Sequence, residues 1–171
     1  MKVTFASAAA ALLASLYAPQ VAATGHRHAA RQSSLHLYVV EGATVAGPLW
    51  VDDTNGSAKV NPPTSTSSET FSISSPTDFL YVSFPGSPHA YISFSNIGTS
   101  CGTSGPLVFT TSNSNKCSQQ PQFEISNNSE LIPSVQGSFQ VCGTDKHLEF
   151  TKGAVSDGCT AARIVTQYWL A

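Results

Sequence analysis

From residue 35 onward, apolar and polar side chains alternate in short runs. Leu35, Leu37 and Val39 alternate with His36 and Tyr38, and Phe71 and Ile73 alternate with Ser72 and Ser74. Phe123 and Ile125 flank Glu124, Phe139 and Val141 flank Gln140, and Leu148 and Phe150 flank Glu149. A period of two belongs to half-buried β-strands. Two denser runs, FLYVSF at residues 79–84 and YISF at residues 91–94, read as apolar on both faces and are expected at the centre of a sheet. Between them Pro85-Gly86-Ser87-Pro88 forces a turn, because proline fixes φ and removes a ladder donor. No stretch of helical length after residue 35 repeats apolar positions at i, i+3, i+4 and i+7, so helix is expected to be minor. Turn clusters separate the strands at the spacing typical of sandwiches and barrels. The pattern predicts an all-β fold over residues 35–171: a single-domain antiparallel β-sandwich, with a β-trefoil as the alternative. About twelve short strands would fit a trefoil, but no clear threefold repeat is visible.

The amino terminus has a different texture. Lys2 precedes the uncharged run VTFASAAAALLASLY, and Val21-Ala22-Ala23 places small residues where a signal peptidase reads. Residues 1–23 therefore read as a secretory signal peptide, too short and too rich in Ala and Ser for a membrane span. Residues 24–34 form a polar leader in which Arg31 is a weak processing site. Thr24-Gly25-His26, if freed at its amine, has the donors of a square-planar copper site, although a disordered leader is the simpler reading. The stretch NPPTSTSS at residues 61–68 reads as an exposed, O-glycosylated loop. The apolar end Ile164 to Ala171 is too short for a lipid-anchor signal, so the mature chain is expected to be secreted unanchored.

Charge narrows the partners. Only 11% of the 171 residues are charged and the formal net charge is -2, against about 25% charged residues in ordinary domains. Ser and Thr supply the polarity instead. With no cluster of Lys or Arg, neither nucleic acid nor an anionic membrane is an expected partner, and the chain is expected to be monomeric. No cofactor is expected.

Four cysteines, Cys101, Cys117, Cys142 and Cys159, are an even number in a chain read as exported, so disulfides are expected. Of the three pairings, the local one, Cys101 with Cys117 and Cys142 with Cys159, is favoured, and a crossed one stays open. Each local bridge would constrain the unfolded chain by about 3 kcal/mol. A zinc site is disfavoured, since no CxxC pair is present and His147 is the one histidine nearby. Asn55-Gly56-Ser57 and Asn127-Asn128-Ser129 are N-glycosylation sequons in turn-like sequence.

Catalytic patterns do not assemble. Gly98-Thr99-Ser100-Cys101-Gly102 spells G-x-S-x-G, but Thr103-Ser104-Gly105-Pro106 cannot open the helix that a nucleophile elbow needs. Asp52 and Asp53 are adjacent, so on a strand they face opposite ways. Asp145 and Glu149 share a face only if the segment between them is strand. His89 and His147 read as surface imidazoles. Carbohydrate binding is the stronger candidate, since sugars stack on exposed aromatic faces: Trp50, beside Asp52 and Asp53, and Trp169 are the candidate platforms, with Tyr91 and Tyr168 behind them.

Residues 69–166 carry a family resemblance. ETFSISSPTDFLY at residues 69–81, then Ala90 to Thr111 with Ile92, Gly98, Gly105 and Phe109-Thr110-Thr111, then Phe123-Glu124-Ile125 with Leu131, resemble the phialide cell-wall proteins of filamentous fungi. The ending is similar as well: a late strand reaches Cys142, a polar excursion follows, and Asp157-Gly158-Cys159 leads into a last strand. The chain departs from that pattern in the extra pair Cys101 and Cys117, and in Gly143 where the family has proline. The resemblance implies a small secreted protein of the wall, with no catalytic residues to carry over. The expected function is thus a non-catalytic structural or adhesion role at a fungal cell wall, with wall polysaccharide as partner. A secreted effector or carbohydrate-binding module acting on a host, with a host protein as partner, is the alternative.

Overall fold

The computed structural model describes residues 34–61, 69–84, 89–97, 101–112 and 116–167. In chain order the strands are β1 (Leu37–Glu41), β2 (Thr44–Val51), β3 (Ala58–Val60), β4 (Phe71–Ile73), β5 (Leu80–Val82) and β6 (Ala90–Phe94). They continue as β7 (Ser104–Thr110), β8 (Phe123–Ile125), β9 (Leu131–Pro133), β10 (Ser138–Cys142), β11 (His147–Thr151) and β12 (Cys159–Thr166). Every pairing among the named strands is antiparallel, and the described residues contain no α-helix.

The order β10-β12-β1-β2-β3-β11 closes on itself, because β11 also pairs with β10 along its whole length. A second layer leaves this ring through the long strand β7. Its first half, Ser104 to Pro106, pairs with β11, while Leu107 to Thr110 pair with β6. The run continues through β5 to β4, where a bridge from Phe71 to Leu35 returns it to the segment leading into β1. The flank β7-β6-β5-β4 thus folds over the ring as the second face of a sandwich. Among the described residues the ring draws on β1, β2, β3, β10, β11 and β12, which do not recur with a threefold period, so the pairing fits the sandwich and not the trefoil alternative. A separate hairpin, β8-β9, completes the described elements.

Alternation is what drives these strands, and the buried phase faces one continuous core. Leu37, Val39, Leu49, Val51, Leu80, Val82, Ile92, Leu107, Leu148 and Ile164 are all buried in the same cluster. Phe94 and Phe150 stack at its centre, 4.1 Å between centroids and 13° between planes, with Phe123 and Phe139 edge-on to Phe94. That arrangement joins β6 to β11 and so joins the two layers.

Two features differ from the pattern as read. The run at residues 79–84 lies near the edge: β5 is the last strand but one, and within it only Leu80 and Val82 are buried. Phe79 and Tyr81 belong to the other phase and sit half-buried on the outer face. The second apolar phase of this run is carried by Phe79 and Tyr81, whose rings pack against Tyr91 on the outer face and not into the core. Conversely β7 is one of the long strands although it opens with Ser104-Gly105-Pro106, because Gly105, Leu107 and Phe109 alternate inward. Gly105 is needed there, since a Cβ would run into the Ser95 carbonyl.

Both disulfides join the local pairs. Cys101 bonds Cys117 with Cα atoms 5.7 Å apart, and Cys142 bonds Cys159, its direct cross-strand partner, with Cα atoms 4.3 Å apart. Two such bridges are compatible with an extracellular location.

Candidate functional site

The densest cluster of chemistry lies on the outer face of the ring, where five strands bring distant residues into register. Trp50 stands opposite Lys59, Lys59 opposite His147, and His147 opposite Cys142, which stands opposite Cys159. The Lys59 ammonium lies 3.2 Å from Asp52 and 3.8 Å from Asp145. His147 Nδ1 is 2.8 Å from Asp145 and its Nε2 is 3.3 Å from Glu149. Gln140 Nε2 donates to the Glu149 carboxylate at 2.9 Å and to Ser156 Oγ at 3.0 Å, and Gln140 Oε1 accepts from the Ser156 amide. Asp145 and Glu149, expected to share a face only if the segment between them is strand, are drawn together by one imidazole at the start of β11.

Electrostatics follow from these contacts. Hydrogen bonds from the Thr54 hydroxyl and amide, and the nearby Lys59, hold Asp52 below the usual carboxylate range. The His147 bond does the same for Asp145. Partial burial opposes charge on His147, but the bonds and attraction of Asp145 and Glu149 outweigh it and raise its proton affinity above the ordinary imidazole value. Both ring nitrogens are thus held by carboxylates, and the described hydroxyl nearest in the chain of bonds, that of Ser156, is bonded to Gln140. The Cys142 and Cys159 sulfurs come within 4.8 Å of a Glu149 oxygen, but they are bonded to each other, so neither is a thiolate ligand.

Trp50, the first candidate sugar platform, belongs to this cluster. Its indole is half-buried, with the Lys59 ammonium 5.9 Å from the ring centroid, a cation–π contact at the outer limit of that interaction. Its Nε1 is buried without an acceptor among the described residues. Trp169, Tyr168, Ser100, Arg31, Thr24-Gly25-His26, the signal peptide, the stretch 62–68 and the turn at 85–88 lie outside the described residues.

Both sequons sit on turns. Asn55 is exposed between β2 and β3, its Oδ1 accepting from the Ser57 amide. Gly56 completes that turn at φ +73°, and a Cβ there would strike the Phe109 carbonyl. Asn127 is exposed between β8 and β9, in the turn closed by the Ser129 amide on the Ser126 carbonyl.

A second constellation gathers around Tyr91, one of the aromatic candidates of the sequence, and adds Phe79 and Tyr81 to it. On the outer face of the flank, Phe79 and Tyr81 meet Tyr91 and His89: Tyr81 lies 4.6 Å from His89 and 5.7 Å from Tyr91, and Phe79 lies 6.3 Å from Tyr91. His89 Nδ1 is 2.8 Å from Ser83 Oγ. The signal that would have found this row is parity. Phe79, Tyr81 and Ser83 share one phase, opposite to Leu80 and Val82.

Glu69 is the other group the sequence did not mark. It accepts a hydrogen bond from the Val51 amide at 2.8 Å. Burial, opposed by that bond and aided by the nearby Asp53 charge, pushes its carboxyl up to about 7. No helix among the described residues is long and apolar enough to cross a membrane. Compared with family models, curated proteins and solved structures, the chain finds no match.

Proposed function

We propose that this chain is a secreted, non-catalytic protein of a fungal cell wall, similar to the phialide cell-wall proteins, that acts by structure or adhesion. The observation that carries this reading is the cluster around His147. The ionisable groups that stand together are tied to one another, from Asp52 through Lys59, Asp145, His147 and Glu149 to Gln140. Such a ladder ties β3, β10 and β11 to one another and to the residue that follows β2, and its neighbouring hydroxyls, Thr54 and Ser156, are bonded to Asp52 and Gln140. Two disulfides and two sequons on exposed turns support an extracellular life, and a surface rich in hydroxyls suits a matrix of glycans.

Fractionation of a culture tests the proposal. The protein is expected in the wall fraction, released by detergent and alkali, with its mass lowered by endoglycosidase. Recovery from the medium alone, with none in the wall, would overturn it.

A further inference from the structure

We propose that the aromatic row on the outer face of β5 and β6 is a binding site for a neutral, extended β-glucan chain. The proposal rests on the wall reading above and gives it a ligand.

The row is set by register. Ser72 stands opposite Tyr81, Tyr81 opposite Tyr91, and Tyr91 opposite Thr110, so hydroxyl residues bracket two tyrosines across four adjacent strands. Because Leu80, Val82, Ala90 and Ile92 point into the core, Tyr81 and Tyr91 lie on the opposite face. Phe79 extends the row beside Tyr91 and His89 extends it beside Tyr81. Phe79, Tyr81 and Tyr91 are half-buried and His89 is exposed, so their rings are fixed by packing while part of each remains open to solvent.

Charge selects the occupant. None of the strands β4, β5, β6 and β7 carries a charged residue. An ionic ligand would therefore lose its hydration on this face without gaining a partner. A neutral pyranose offers what the face can use: axial C–H groups to lie on aromatic rings, and a rim of hydroxyls to meet Tyr, Ser, Thr and imidazole. The Tyr81 and Tyr91 rings lie 5.7 Å apart and are tilted 53° to each other, so they form an angled aromatic cleft in which adjacent sugars of a chain meet the two rings at different angles. Across its centre the row carries the hydroxyls of Ser72, Tyr81, Tyr91 and Thr110, and the one carboxamide beside it, Gln122 opposite Phe79, already donates to the Thr77 carbonyl, which favours a hydroxyl-only glucan over an N-acetylated chitin chain. Trp50, on the ring and not the flank, already has its indole against Lys59.

Binding of the full secreted chain to insoluble β-glucan, with chitin in parallel, tests this. Wild type is expected to be retained on glucan in preference to chitin. The double variant Tyr81→Ala with Tyr91→Ala is expected to weaken retention at least about tenfold, or about 1.4 kcal/mol, while the double Tyr→Phe variant keeps most of it and Trp50→Ala keeps all of it. Should the alanine variant fold poorly, nitration of the wild-type protein answers the same question. Soluble linear β-glucan should slow nitration of Tyr81 and Tyr91 and leave Tyr38 unchanged. Equal nitration with and without glucan, stronger retention on chitin, or loss on Trp50→Ala alone would overturn the site. Protein found in the wall fraction yet indifferent to glucan would refute this site and leave the wall reading standing.

Discussion

Replacing Glu69 by Gln should stabilise the protein at alkaline pH and do nothing at acid pH. Glu69 is half-buried where it accepts the Val51 amide at the end of β2, and its carboxyl is lifted from its usual 4.5 to about 7. The folded chain therefore binds this proton more tightly than the unfolded chain does. Stability from this group is complete below about 4.5 and is lost as pH rises toward about 7. At about 1.36 kcal/mol per tenfold in affinity, full desolvation would cost about 3 kcal/mol, and the solvent contact that the carboxyl keeps reduces this to about 1 to 2 kcal/mol. Gln keeps an acceptor for Val51 and never ionises. Thermal and urea melts between pH 4 and pH 8 should show the two proteins equal at the acid end. At pH 8 Glu69→Gln should melt about 3 to 6 °C higher for a chain of this size. Asp53→Asn should give a smaller gain in the same direction, because the Asp53 charge contributes to the lift. A variant that is no more stable than wild type at pH 8, or equally shifted at both ends, would refute the reasoning.

Three further outcomes are expected. Phe150→Ala removes the ring stacked on Phe94 at zero exposure and should cost about 3 to 5 kcal/mol in urea unfolding, while Phe150→Leu should cost markedly less. Replacing Cys142 and Cys159 together by Ala should lower stability by about 2 to 4 kcal/mol, measured against wild type under non-reducing conditions. By NMR the His147 imidazole should titrate above its ordinary 6.5, and Asp145→Asn should bring the midpoint down. Its stabilising contribution is then present below about 6.5 and fades as pH rises through the folded value.

What the sequence determined by itself is the material of the fold. Alternation at Leu35–Val39, Phe71–Ile73, Phe139–Val141 and Leu148–Phe150 specifies strands and their buried phase, because period two decides which side chains leave water. The cysteine spacing already favoured the local disulfides found. The candidate sites were less legible. Asp52, Lys59, Asp145, His147 and Glu149 come together only because β2, β3 and β11 pair in one register, and no local rule states which strand will lie beside which. The same holds for Tyr81 and Tyr91, whose phase was visible but whose alignment between Ser72 and Thr110 depended on four strands closing in order. Parity along a chain is a local property of the backbone. Neighbours across a sheet are chosen by burial of the whole core, so tertiary structure alone decided where the rings and charges would meet.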